Sequence, residues 1–239
     1  MSRLQLITLD LDNTLWDVEK TIRAAEQDLI IWLQTNAEPA HQIYVSNDLL
    51  ELREQTLRQH PNLRHDLSRL RIEILSNVMR KAQYQEQEAR NLAEEAFEVF
   101  FAGRNRVAFF PGALEMLKTL SERYPVYALT NGNADASRTG ISPYLKGAIS
   151  SALVGASKPD PSMFHAALNQ AGTSAQYCVH IGDHLHDDIR GADAVGMHSI
   201  WVNLQQSERA DSDPSPTREV NQLSDIVAAV TAIEASLSA

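Results

Sequence analysis

The chain has 239 residues, 44% of them apolar and 22% charged, with a formal net charge of −10. This is the composition of an ordinary folded protein with ample chain for a core. No stretch approaches the roughly 20 apolar residues of a membrane span, and the acidic balance disfavours nucleic acid as a partner. The single cysteine excludes an internal disulfide framework and a Cys-based zinc site, and it fits a reducing cytoplasm. The first residues, MSRLQLITLD, run straight into a strand-like segment, so no secretory leader is expected.

Leu4 to Leu9 is a short, mostly apolar run that stops at the charged string Asp10-Leu11-Asp12-Asn13-Thr14, the pattern of a strand buried on both faces. From Asp17 the period becomes helical. Val18, Ile22, Ala25, Leu29 and Leu33 form one stripe, which Asn36 to Pro39 ends. Ser46 can cap a second helix carrying Leu49, Leu52 and Leu57. Asp66 can cap a third carrying Leu67, Leu70, Ile74 and Val78. A fourth runs to Phe101 with Leu92, Ala96, Phe97 and Phe100 as its stripe.

The Pro111-Gly112 pair then opens a further helix, after which strands and helices alternate. Strands are predicted at 126–129, 148–154, 177–181 and 199–202, and helices around 161–171, 187–195 and 223–236, with 205–218 as a polar loop. Such alternation predicts an α/β fold, a Rossmann-like mostly parallel sheet with helices on both faces. An all-helical block, residues 17–107, interrupts a core of residues 1–16 joined to 108–239.

Four strand ends carry polar chemistry. Asp10 and Asp12, two apart, fall on one face of extended chain. Thr130-Asn131-Gly132 offers a hydroxyl and a turn whose backbone N–H groups suit an anion. Lys158 precedes Pro159. Gly182-Asp183-His184-Leu185-His186-Asp187-Asp188 gathers three carboxylates that are costly to hold together without a hard cation. Singly, these segments also suit a polar loop, a turn, a solvated lysine and a helix cap. Together they fall on the one sheet edge where α/β proteins place ligands.

The set Asp10-x-Asp12-x-Thr14, Thr130-Asn131, Lys158-Pro159 and Gly182-Asp183 with Asp188 resembles the four motifs of the haloacid dehalogenase superfamily, and the helical insert resembles its C1 cap. The resemblance implies a phosphatase, because the haloacid dehalogenases of the family do not keep the second aspartate and Asp12 is present. It further implies Asp10 as nucleophile and Asp12 as general acid and base. Thr130 and Asn131 would hold the phosphoryl group, and Lys158 would neutralise its charge. Mg2+ would sit on Asp10, the Asp12 carbonyl and Asp183. Asp188, with Asp187 as competitor, would ligate the ion or steady its ligands.

The strings LTNGNA, SKPDPSMF and GDHLHDDIRGADAVGM are most similar to bacterial phosphatases of flavin mononucleotide and of a riboflavin precursor, 5-amino-6-(5-phosphoribitylamino)uracil. The expected partner is therefore a small phosphate ester. No protein partner can be inferred. Alternatives on the same fold are a phosphomutase and a non-catalytic phosphate- or metal-binding module. Within the insert, residues 53–81 carry seven Lys or Arg against three acids. His65, Arg69 and Arg71 are the expected substrate contacts there, although helical spacing lets only one of the two arginines reach a ligand.

Overall fold

A computed structural model describes residues 4–237; Met1 to Arg3, which belong to the N-terminal reading above, and Ser238 and Ala239 lie outside the described residues. The chain divides into two compact units. One joins the segment ending at Asp17 to everything from Ala108 onward, and the other is Val18–Val107.

The second unit consists of helices α1 (Val18–Asn36), α2 (Glu38–Ser46), α3 (Leu49–Gln59), α4 (Leu67–Lys81) and α5 (Glu86–Arg104). Ala25, Leu29 and Leu33 of α1 meet Leu75, Val78 and Met79 of α4 and Ala89, Ala93, Ala96 and Phe100 of α5 in one core. The alanines let α1 and α5 approach closely. At Gly103 a Cβ would lie 2.8 Å from the Ala25 Cα.

Helix α2 departs from expectation. α1 ends at Asn36 as read, but Pro39 also falls in the first turn of a new helix, where a proline gives up an N–H that has no intrahelical partner anyway. The cap of α3 is Asp48, whose side chain accepts from the Leu50 N–H, while Ser46 ends α2. Asp66 caps α4 as read, accepting from the Arg69 N–H.

The first unit is a six-stranded sheet in the order β3-β2-β1-β4-β5-β6. Its strands are β1 (Leu6–Leu9), β2 (Val126–Thr130), β3 (Gly147–Ser150), β4 (Cys178–Gly182), β5 (His198–Val202) and β6 (Arg218–Val220), and every pairing is parallel. β1, β2 and β4 are buried along their whole length, as their largely apolar sequences require, with Thr8 and His180 as polar residues inside β1 and β4. The helices are α6 (Ala113–Ser121), α7 (Ser151–Val154), α8 (Pro161–Ala171), α9 (Gly191–Ala194) and α10 (Ile226–Ser236).

Three local readings are corrected here. The third strand stops at Ser150, whose hydroxyl accepts from the Leu153 N–H and caps α7. The segment read as one helix near 187–195 is a π-helical turn, Leu185–Arg190, that runs into α9. The loop 205–218 ends in edge strand β6, whose residues Arg218 and Glu219 are exposed and show no apolar run.

The chain lays down β1, β2 and β3 in one direction, then returns to place β4 on the other side of β1. That reversal is the switch point at which doubly wound sheets open a crevice. Asp10 follows β1 and Asp183 follows β4, on either side of it.

The close crossing of α1 and α5 makes Gly103 a sensitive position. Gly103→Leu is expected to destabilise the helical unit by about 1–3 kcal/mol or more through overpacking, read as a lowered urea midpoint.

Candidate active site

Four strand ends converge on a cavity of about 160 Å³ lined by Asp10, Asp12, Asn13, Thr130, Asn131, Gly132, Lys158, Asp183, His184, Asp187 and Asp188. β1, β2 and β4 deliver Asp10, Thr130 and Asp183 at or just past their last residues, while Lys158 arrives from the loop after α7 and Asp188 from the π-helical turn after β4. The polar atoms therefore reach the edge without entering the core.

Lys158 is at the centre. Its Nζ donates to Asp10 Oδ1 at 2.5 Å and to Asp188 Oδ1 at 2.7 Å, and its side chain is 2% exposed. Asn131 fixes the lysine's backbone. The Lys158 N–H donates to Asn131 Oδ1 at 2.7 Å, and Asn131 Nδ2 donates to the Lys158 carbonyl at 2.9 Å. Thr130 Oγ1 accepts from the Gly132 N–H at 2.9 Å, so its hydroxyl proton can be given to a ligand.

Asp188 lies under the site, accepting from Lys158, from His180 Nε2 at 3.0 Å and, on Oδ2, from the His184 N–H at 2.9 Å. Gly182 gives it room. A Cβ there would stand 2.3 Å from the Asp188 Cγ, so any side chain at 182 expels the carboxylate. The Thr14 hydroxyl spans Asp183 Oδ1 at 3.0 Å and Asp10 Oδ2 at 3.3 Å. Asn13 turns the loop between them with φ +60°, which asparagine tolerates better than most residues.

Carboxylate oxygens of Asp10, Asp183 and Asp188 lie within 4.8 Å of one another. An all-oxygen acidic set is the donor chemistry a hard divalent cation takes. Lys158 supplies one positive charge against these three carboxylates. Burial first, then Asp188, raises Asp183 to about 6. Burial likewise lifts Asp10 well above the ordinary carboxylate range, with Lys158 pulling the other way and Asp188 adding to the rise. Burial also opposes ionisation of Asp188, but Lys158 and His180 outweigh it and hold that carboxylate below its usual range. Burial keeps His180 below the usual imidazole value.

Asp12 stands apart. Its side chain is partly exposed at the cavity mouth, accepts from Trp16 Nε1 at 2.8 Å, and is outside the acidic triad. Asp187 and Asp188 stand in different surroundings. Asp188 is buried in the triad, whereas Asp187 stays at the rim and accepts from Asn131 Nδ2 at 3.3 Å.

The helical unit treats its three expected contacts differently. Arg71 donates to Glu26 at 2.8 Å and to Tyr44 Oη at 3.3 Å, and lies 3.7 Å above the Phe100 ring. Tyr44 in turn donates to Glu26. The guanidinium is thus matched inside its own unit, along a groove shared with Ile22, Ile30 and Leu49. Arg69 is exposed, 4.0 Å from Asp66, and His65 is partly buried; neither lines that groove. Thr14 and Gly182, read above as parts of the motifs, complete the site with His180, which was not among its expected residues. For His180 the available signal is a lone polar residue inside the apolar run of β4.

A doubly wound parallel sheet with a buried, lysine-paired carboxylate beside an acidic cluster at its switch point defines an α/β protein with a charged ligand site. The chain belongs to the haloacid dehalogenase-like hydrolase family, whose model matches residues 4–196. It is 28% identical over 233 residues to the 5-amino-6-(5-phospho-D-ribitylamino)uracil phosphatase YigB of Escherichia coli, covering 96% of this chain and 98% of that one. It is 24% identical over 245 residues to human N-acylneuraminate-9-phosphatase, covering 100% and 98%. Among solved structures, a 2-haloacid dehalogenase from Pseudomonas syringae pv. Tomato DC3000 superposes with a TM-score of 0.88 at 38% identity, over 96% of this chain and 98% of that one.

Gly182→Ala is expected to force Asp188 off Lys158 and lower stability by about 1–3 kcal/mol. Thermal unfolding of the variant beside wild type measures it.

Proposed function

We propose that this chain is a Mg2+-dependent phosphatase that hydrolyses a small phosphate monoester through an aspartyl-phosphate on Asp10. The observation that carries the reading is the buried Asp10 carboxylate, held 2.5 Å from Lys158 Nζ at the switch point, with Asp12 two residues on at the cavity mouth.

A carboxylate requires no base to become a nucleophile once ionised, and Lys158 and a cation both favour that form. Asp10 attacks phosphorus as the bond to the leaving oxygen breaks, and Asp12 gives that oxygen its proton. Asp12 then takes a proton from the water that attacks the phosphoryl group, which frees Asp10. The Thr130 hydroxyl and the Asn131 N–H hold the phosphoryl oxygens, and Lys158 offsets their charge. Asp10, the Asp12 carbonyl and Asp183 would hold Mg2+, with Asp188 behind them. When bound, the ion adds positive charge beside the phosphoryl oxygens.

A riboflavin precursor or flavin mononucleotide is the substrate we favour, supported by the likeness to YigB along nearly all of both chains. The single cysteine, Cys178, is free and buried, which agrees with a cytoplasmic setting. The dehalogenase named for the Pseudomonas structure is a second reading. Asp12 weighs against it, because displacement of halide from carbon leaves no oxygen to protonate.

Phosphate release from a panel of esters that includes flavin mononucleotide tests the proposal, with chloride release from 2-chloropropionate in parallel. Mg2+-dependent phosphate release without chloride release is expected, and Asp10→Asn should lower it by about 10³-fold or more while the fold is kept. Chloride release without Mg2+ would replace the phosphatase reading.

Mg2+ should also raise the melting temperature at pH 7.5. Without the ion, the folded state favours protonated Asp183, so this group's contribution to stability is present below its unfolded pKa and lost as pH rises through about 6. The ion requires the carboxylate, so its stabilisation should shrink as pH falls through that value, and Asp183→Asn should remove most of it.

A further inference from the structure

We infer that His180 is a positioning residue that braces Asp188 and, through it, fixes Lys158 against Asp10. The inference rests on the role of Lys158 proposed above and assigns a function to a side chain that touches no substrate.

His180 is the third residue of β4 and fully buried. Its Nε2 lies 3.0 Å from Asp188 Oδ1, the same oxygen that accepts from Lys158 Nζ. An ionised carboxylate only accepts, so Nε2 carries the proton. On the far side, Nδ1 lies 2.8 Å from the hydroxyl of Thr8, a buried residue of β1. That hydroxyl has one proton to give and Nδ1 is left to accept it. The Phe164 ring of α8 meets the imidazole edge-on, with centroids 5.1 Å apart. Two hydrogen bonds and a ring contact therefore set its tautomer and its plane.

A packed apolar strand needs none of this. A leucine at 180 would satisfy β4 equally well, and it would cost the sheet no desolvated polar ring. The chain Thr8–His180–Asp188–Lys158–Asp10 instead runs from the middle of the sheet to its edge through four contacts of 2.5–3.0 Å. Its effect is to keep the Asp188 carboxylate from rotating. Lys158 then stays on the line between Asp188 and Asp10 when charge on the substrate pulls at it.

The test uses full-length wild type, His180→Gln, His180→Leu and Thr8→Val, each checked for a cooperative melt. Hydrolysis of p-nitrophenyl phosphate with Mg2+ is the activity probe. His180→Leu should lower kcat about 10- to 100-fold, the scale for a misplaced catalytic group, with KM little changed. His180→Gln, which keeps an N–H donor, should recover most of the loss. Thr8→Val should fall between, and it serves as the second probe if the leucine variant does not fold. Wild-type kcat in His180→Leu, equal losses in Gln and Leu, or a change in KM alone would each overturn the inference.

A readout independent of turnover separates it from the phosphatase reading. In a ¹⁵N-labelled wild type, long-range ¹H–¹⁵N correlation should show His180 protonated on Nε2 with Nδ1 bare. A proton on Nδ1 overturns the brace whatever the activity. A wild type that releases no phosphate overturns the reading of the site, and the ring's protonation still decides how His180 is held.

Discussion

The site depends on one buried ammonium group. Lys158 cannot be desolvated alone, since an unpaired buried charge costs several kcal/mol. Its two carboxylate partners arrive from different strand ends, Asp10 after β1 and Asp188 beyond β4. Much of the surrounding geometry serves that pairing. Asn131 clamps the lysine's main chain with two reciprocal hydrogen bonds. Gly182 leaves out the side chain that would occupy Asp188's place. The π-helical turn carries Asp188 back beneath the strand ends and lets the His184 N–H reach its second oxygen. One ammonium still does not balance the carboxylates around it. Burial first, and the neighbouring carboxylate of Asp188 after it, raises both Asp10 and Asp183 above the ordinary carboxylate range.

Sheet order makes this possible at low cost. Asp10 and Lys158, 148 apart in sequence, meet because β1, β2 and β3 lie side by side and parallel, so the loop after β3 and α7 reaches the same sheet edge as the end of β1. Their polar groups stand past the last apolar positions, where backbone hydrogen bonding to the ladder ends and the crevice begins. Turning or extending a strand by one residue would bury these charges in the core. The largely apolar runs of β1, β2 and β4 thus position the site as well as stabilise the sheet.

That coupling explains what the sequence made readable. A strand buried on both faces is a conspicuous apolar run, and Asp10, Thr130 and Gly182-Asp183 follow such runs directly, so fold and site were visible together. Elements held by tertiary context were not. The edge strand β6 has two exposed residues out of three and no alternation to detect. α7 is four residues long, and Ser150 decides it by capping where a strand was continuing. Pro39 can end a helix or begin one, and the packing of Ala40 and Tyr44 selects the second. His180 escaped notice because a lone histidine in an apolar run announces its partners only when β1 and the turn after β4 are brought beside it. The basic excess of residues 53–81 was real in composition yet largely matched in space. Arg71 meets Glu26, Arg80 meets Glu73 and Glu86, and Arg58 faces Glu54.

The two aspartates of the first loop show how one short string can serve two tasks. Asp10 is buried, paired with Lys158 and held by the Thr14 hydroxyl, so its oxygens have a fixed place and direction. Asp12 is partly exposed and accepts a hydrogen bond from the Trp16 indole. A nucleophile gains from the first environment, because attack requires orientation more than exchange with solvent. A group that must release a proton and later recover one from water gains from the second, because it needs access. In the mechanism proposed above, two carboxylates of equal intrinsic acidity would thus take separate roles from where the backbone leaves them. The turn at Asn13 creates the difference: it sends the chain outward after Asp12, while Thr14 folds back onto Asp10 and Asp183.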